Sequence, residues 1–134
     1  MKIALGQINP TVGALEANVD RMVSAAREAA AAGARMIVFT ELSITGYPPR
    51  DLVDKPSFIR RTQEQLRRLA CETASLGIAV ICGYVGESSE TEGKRVTNSA
   101  AILERGEILF RQDKMLLPTY DVFDEWRYFE STNE

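Results

Sequence analysis

Gly33-Ala34-Arg35-Met36-Ile37-Val38-Phe39-Thr40-Glu41 is the stretch on which the fold turns. Met36 to Phe39 is a short, continuous apolar run, the pattern of a strand buried on both faces, as in parallel sheets. Gly33 stands in front of it, where it can end a helix. Thr40 and Glu41 fall at the C-terminal end of the strand. Working upstream, residues 15–32 read as that helix, with Leu15, Val19, Met22, Val23, Ala26 and Ala30 at helical spacing on one face. Before it, Lys2 to Gln7 reads as a first strand, followed by the turn-rich run Ile8-Asn9-Pro10-Thr11-Val12-Gly13. Ala14 offers no polar cap to the helix, an omission that costs about 1 kcal/mol.

Downstream, Gly46-Tyr47-Pro48-Pro49 interrupts regular structure, because two prolines remove two backbone donors. A second helix is expected from Pro56 to Leu76, with Asp54 as its cap, Pro56 in its first turn and Gly77 at its end. Phe58, Ile59, Leu66, Leu69 and Ala70 form its apolar stripe. Ile78 to Val85 is a third strand, and Glu87 to Gly93 a polar, acidic surface turn. Val96 to Leu103 and Ile108 to Phe110 read as two strands joined by the hairpin signal Glu104-Arg105-Gly106-Glu107. Arg111 to Glu134 reads as loop. The order β-α-β-α-β-β-β makes an α/β fold: two right-handed crossovers build a parallel sheet, and a hairpin extends it. The polar end Ser131-Thr132-Asn133-Glu134 brings no closing strand or helix, so the chain is expected to be the truncated front part of a domain.

The composition narrows the function. The chain has 134 residues, 45% hydrophobic and 26% charged, the balance of an ordinary globular domain. A net charge of −3 leaves no basic footprint for nucleic acid. No apolar run approaches the ~20 residues of a membrane helix, and the N-terminus is too short in apolar residues for a signal-peptide core. A cytoplasmic, reducing setting follows by default, with Cys71 and Cys82 as free thiols that act as small buried apolar residues. The chain has no histidine, which removes imidazole bases, His-based triads and His-ligated metals from this stretch. No Gly-rich phosphate loop occurs.

Reactive groups in open α/β sheets collect beyond the C-terminal ends of parallel strands. Glu41 is in that position. After four apolar residues and a threonine, its carboxylate is expected to be partly desolvated, which raises its pKa and makes a better base. The plain alternative is a solvated loop acid or a helix-cap partner. Lys114 follows the last strand within Asp113-Lys114-Met115-Leu116-Leu117-Pro118, where an ammonium can act as an acid or sit beside an oxyanion; otherwise it is a surface lysine. Tyr120, Asp121, Phe123, Glu125, Trp126, Arg127, Tyr128 and Phe129 give the mixture of rings and charges that a pocket for a small polar amino acid needs, or a packing segment held by Arg–carboxylate pairs.

Four segments carry a resemblance. They are residues 3–13; residues 38–52, with Gly46-Tyr47-Pro48-Pro49-Arg50-Asp51-Leu52; Asn98-Ser99-Ala100; and residues 114–129, with Leu117-Pro118-Thr119-Tyr120-Asp121-Val122-Phe123-Asp124-Glu125-Trp126-Arg127-Tyr128-Phe129. In order and spacing they resemble the glutaminase domains of glutamine-dependent NAD synthetases, a branch of the carbon–nitrogen hydrolase (nitrilase) superfamily. The resemblance covers nearly the whole chain and implies the first part of an α-β-β-α sandwich. It implies a Glu-Lys-Cys triad in which Glu41 matches the general base and Lys114 the lysine. The cysteine lies after the Arg-Tyr-Phe run, beyond residue 134, and neither Cys71 nor Cys82 matches it. Tyr120 matches a substrate-pocket tyrosine, and Glu125 an accessory glutamate.

The implied substrate is glutamine, hydrolysed through a thioester with no cofactor in this part. The implied partner is a separate C-terminal synthetase domain that uses ATP and magnesium to amidate nicotinic acid adenine dinucleotide, usually within a large homo-oligomer. Two other readings compete: a stand-alone nitrilase-type amidase for another amide, and a non-catalytic interaction module complete as it stands. The Tyr-Pro-Pro and Arg-Tyr-Phe runs argue against the first. The second predicts a cooperative melt, where a half-domain should aggregate through its open edge and apolar face.

Overall fold

A computed structural model of the chain describes residues 1–89, 94–120 and 123–131. The end of the acidic turn after Glu87, Asp121 of the aromatic segment and most of the polar terminus lie outside these residues. The order is β1 (Ile3–Gly6), α1 (Leu15–Ala31), β2 (Met36–Phe39), α2 (Pro56–Thr73), β3 (Ala79–Glu87), β4 (Val96–Glu104), β5 (Glu107–Asp113) and a short α3 (Glu125–Tyr128). The five strands form one sheet in sequence order. β1, β2 and β3 run parallel, and β3, β4 and β5 antiparallel, so the sheet is mixed as expected.

α1 and α2 pack on the sheet through their apolar stripes. Leu15, Val19, Met22, Leu66 and Leu69 are fully buried, each contributing about 1.5–3 kcal/mol through the area withdrawn from water. They meet Ile37, Val80, Cys82, Ala101 and Leu103, the strand residues that alternate toward them. Between the two helices, Arg61 pairs with Glu16 and Arg68 with Asp20, and within α2 Arg68 also pairs with Glu72. These pairs are solvent-exposed and add little beyond orientation.

The other face has a different character. The register runs Leu5–Val38–Ile81–Ile102–Phe110 straight across all five strands. Among the described residues no helix covers this apolar row, and Leu5 is 73% and Phe110 54% exposed. Farther along the strands, the turn after β2 folds back over the same face. Leu42, Ser43, Ile44 and Thr45 are fully buried there, and Ile44 N–H and the Ser43 hydroxyl both donate to the Gly83 carbonyl of β3.

Several boundaries differ from the sequence reading. α2 is not capped by Asp54: the N-cap is Lys55, with no side-chain cap bond, because Arg50–Asp54 is itself a 3-10 turn. The last expected turn of α2, Ala74–Leu76, tightens to 3-10 before Gly77 turns left-handed at φ 65°. β5 extends to Asp113, since pairing with β4 overrides the polar Arg111-Gln112 sequence. α3 occupies part of the stretch expected as loop. Cys71 is exposed on α2, not buried as expected, because it falls opposite the apolar stripe. The expected hairpin is present as a two-residue loop, Arg105 at φ 54° and Gly106 at φ 86°, the positive pair that a type I′ turn requires. α1 begins at Ala14 with no side-chain cap. Its start is secured by buried Asn18, which accepts from Thr11 N–H and donates to the Thr11 and Ile44 carbonyls.

Candidate active site

Four segments converge on the face opposite α1 and α2, at the C-terminal ends of β2 and β3. The first is the turn after β2, which carries Glu41. Leu42 sits at φ 46°, a conformation that costs a non-glycine residue about 1–2 kcal/mol. It is held by the Leu42 carbonyl accepting from Gly46 N–H at 2.8 Å. β3 passes directly under this turn. A Cβ on Gly83 would lie 2.2 Å from Leu42 N and 2.9 Å from Glu41 Cα, so only glycine permits the approach.

β4 supplies Asn98, 3% exposed and on the same face as Ala100 and Ile102. Lys114 follows β5, its N–H donating to the Asn98 carbonyl at 2.7 Å. Glu125 begins α3, 3% exposed, its N–H donating to the Pro118 carbonyl at 3.2 Å.

The side chains form one network. Lys114 Nζ donates to Glu41 Oε1 at 2.8 Å and lies 3.0 Å from Glu125 Oε2. Asn98 Nδ2 donates to Glu41 Oε1 at 2.5 Å and reaches Glu125 Oε2 at 3.5 Å. The Tyr47 hydroxyl donates to Glu125 Oε1 at 2.9 Å. Burial pulls the Lys114 ammonium toward deprotonation, but its bonds to Glu41 and Glu125 outweigh that and raise its pKa. Lys114 therefore stays charged between two carboxylates at neutral pH. Burial first, and then the bond to Glu125, raises the Tyr47 phenol, which remains a donor. The carboxylate of Glu41 is 47% exposed, more open than its position in the sequence suggested, whereas that of Glu125 is 4% exposed.

Beside this network lies a cavity of about 280 Å³, lined by Glu41, Gly83, Asn98, Ala100 and Lys114 among others. A second hollow of about 200 Å³ opens beyond Tyr47 and Glu125. The structure thus brings Glu41, Lys114 and Glu125 together. Tyr120 is not in direct contact with them: it is 69% exposed, and its ring meets Phe123 edge-on at 5.7 Å, which in turn lies 6.2 Å from Tyr47. Asn98 and Tyr47 lie in quoted motifs but were given no part in the site by the sequence reading, and Gly83 was not singled out. Asn98 was legible in part, as a polar residue at a position where the alternation of β4 calls for an apolar one.

Cys71 is exposed on α2. Burial pushes the Cys82 thiol up to about 12, far from the thiolate that attack requires. Among the described residues no group of three or more His, Cys, Asp or Glu side chains could hold a metal ion, and no helix is long and apolar enough to cross a membrane.

A family model described as carbon-nitrogen hydrolase matches residues 2–134. The chain is 46% identical over 132 residues to a glutamine-dependent NAD(+) synthetase of Synechocystis sp., covering 96% of this chain and 24% of that protein. It superposes with a TM-score of 0.82 and 32% identity on the glutamine-dependent NAD+ synthetase of Acinetobacter baumannii, over 98% of this chain and 24% of that one. It also superposes, with a TM-score of 0.79 and 25% identity, on an amidase variant from Nesterenkonia sp. AN1, over 100% of this chain and 49% of that one. That structure shows covalent addition of the acetamide moiety of fluoroacetamide at the active site cysteine. The chain spans about a quarter of the length of the curated relatives it matches.

Proposed function

The chain belongs to the carbon–nitrogen hydrolase family, and from that premise we propose that it forms the first half of the glutamine-hydrolysing part of a glutamine-dependent NAD synthetase. One observation carries the reading: Glu41, Lys114 and Glu125, separated by up to 84 positions in the chain, meet around a single ammonium on the sheet face opposite α1 and α2. That face, with its apolar row, is where the second layer of an α-β-β-α sandwich would pack. We propose that this layer, from chain beyond residue 134, brings the cysteine.

In the proposed reaction Glu41 takes the thiol proton, and the thiolate attacks the side-chain carbonyl carbon of glutamine. Lys114, kept charged by its two carboxylates, stabilises the oxygen that becomes negative. The C–N bond breaks, Glu41 returns the proton to the nitrogen, and ammonia leaves. Water then adds to the thioester, releasing glutamate and restoring the thiol. Glu125 and Tyr47 fix Lys114 from the buried side, and Tyr120 and Phe123 form an aromatic wall for the substrate. Ammonia is consumed in a separate synthetase part, by an ATP- and magnesium-dependent amidation of nicotinic acid adenine dinucleotide; no residue here is assigned to that step. We further propose a cytoplasmic homo-oligomer, which the two free cysteines suit as regards compartment.

The test is ammonia release by the full-length protein. Glu41→Gln and Lys114→Ala should each lower kcat by about 100-fold or more with the fold retained, and residues 1–134 alone should release none. Undiminished release from Glu41→Gln would remove it from the base role. A preference for short aliphatic amides over glutamine would point instead to a stand-alone amidase.

A further inference from the structure

We propose that Asn98 is a positioning residue: together with Lys114 it fills Oε1 of Glu41, leaving Oε2 as the oxygen that takes and returns the proton. This rests on the base role proposed for Glu41. A carboxylate offers about four acceptor sites, two on each oxygen. Both on Oε1 are occupied, by Lys114 Nζ at 2.8 Å and Asn98 Nδ2 at 2.5 Å. Among the described residues no donor bonds to Oε2. The proton that leaves the thiol sulfur therefore goes to Oε2, and from Oε2 to the nitrogen of the departing ammonia.

Asn98 is built for this task. It is 3% exposed in β4, between β3 and β5. Its carbonyl accepts from Lys114 N–H, so one residue sets both the backbone of Lys114 and the side chain of Glu41. The amide also has one defined orientation. Its nitrogen faces Oε1 of Glu41 and Oε2 of Glu125, and the flipped form would turn a carbonyl oxygen onto two anions. The charged and titratable groups around Glu41 are Lys114 after β5, Glu125 in α3, Tyr47 in the turn after β2, Asp113 at the end of β5 and Cys82 in β3. Of these only Lys114 donates to Glu41; Asp113 accepts instead from Thr97 and Ser99.

Steady-state ammonia release by the full-length protein tests the inference. Asn98→Ala removes the donor that holds Oε1 of Glu41. The kcat should fall about 10-fold, with KM for glutamine nearly unchanged. Asn98→Asp keeps the volume but replaces the donor with a third carboxylate. If Asn98 only fills space, Asp is the milder variant; if it donates, Asp is the worse one. Folded variants with a wild-type kcat, or Asp milder than Ala, overturn the proposal. Loss of activity in Glu41→Gln alongside them keeps the base assignment intact, and survival of Glu41→Gln sinks that assignment separately. Should the variants fail to fold, a crystal structure of the wild-type full-length protein decides. Oε1 on Asn98 with Oε2 facing the cysteine sulfur supports the proposal, and the reverse refutes it.

Discussion

Replacing Gly83 by alanine should damage the site without replacing any side chain that acts in it. The added Cβ would stand 2.2 Å from Leu42 N, 2.8 Å from Glu41 C and 2.9 Å from Glu41 Cα. Ordinary contact begins at 3.4 Å, so the turn must retreat by about 1.2 Å. β3 yields less readily, because Gly83 is paired with Ala100 of β4 and the strand just before it, up to Ile81, is paired with β2. Nor can the turn move freely, because Ile44 N–H and the Ser43 hydroxyl are bonded to the carbonyl of Gly83 itself. A shift of about 1 Å in a reacting group costs roughly 100-fold in rate, and forcing a methyl into packed backbone costs about 1–3 kcal/mol. Ammonia release by the full-length protein and its denaturant midpoint should both fall. Gly33→Ala is the control: its φ of 80° makes alanine strained, but nothing lies within 4 Å, so stability should drop by about 1 kcal/mol with kcat unchanged. If Gly83→Ala keeps wild-type kcat/KM and stability, the close approach of β3 to Glu41 is not as described.

Three further outcomes follow from other parts of the fold. Asn18→Ala strips partners from Thr11 N–H and from the Thr11 and Ile44 carbonyls and should cost about 3 kcal/mol in equilibrium unfolding; a loss no larger than that of an exposed alanine substitution would show the bonds to be dispensable. Cys71 should react with a thiol reagent in the native protein and Cys82 only after unfolding, so two fast thiols would contradict the burial of Cys82. Stability should decline as pH rises from about 9. Cys82, Tyr47 and Lys114 all hold their protons more tightly folded than at their ordinary values of 9.0, 10.0 and 10.5. The native state therefore binds more protons than the unfolded one, and stability falls with rising pH. The contribution of Lys114 is complete below 10.5 and lost as pH passes its raised value. Cys82→Ala should flatten the earliest part of the decline; an unchanged profile would mean Cys82 ionises normally.

The amino-acid order by itself determined the two long helices, the five strands and their order, though not α3 or the strand and helix ends. Local signals suffice for this: a helical apolar stripe at Leu15 to Ala30, the four-residue run Met36 to Phe39, and a two-residue hairpin loop at Arg105-Gly106. It also singled out Glu41 and Lys114, by their places after strands, and Glu125, through the resemblance of the motif that carries it. What only the tertiary structure decided is which atoms meet. Asn98 joins Glu41 across 57 positions, and Tyr47 joins Glu125 across 78; no periodicity encodes such distances, which arise from strand register and from which face each residue takes. The exposure of Glu41 and the tight space above Gly83 are likewise properties of packing. A residue's neighbours in space set its solvation and its room to move, and in a sheet those neighbours come from other strands.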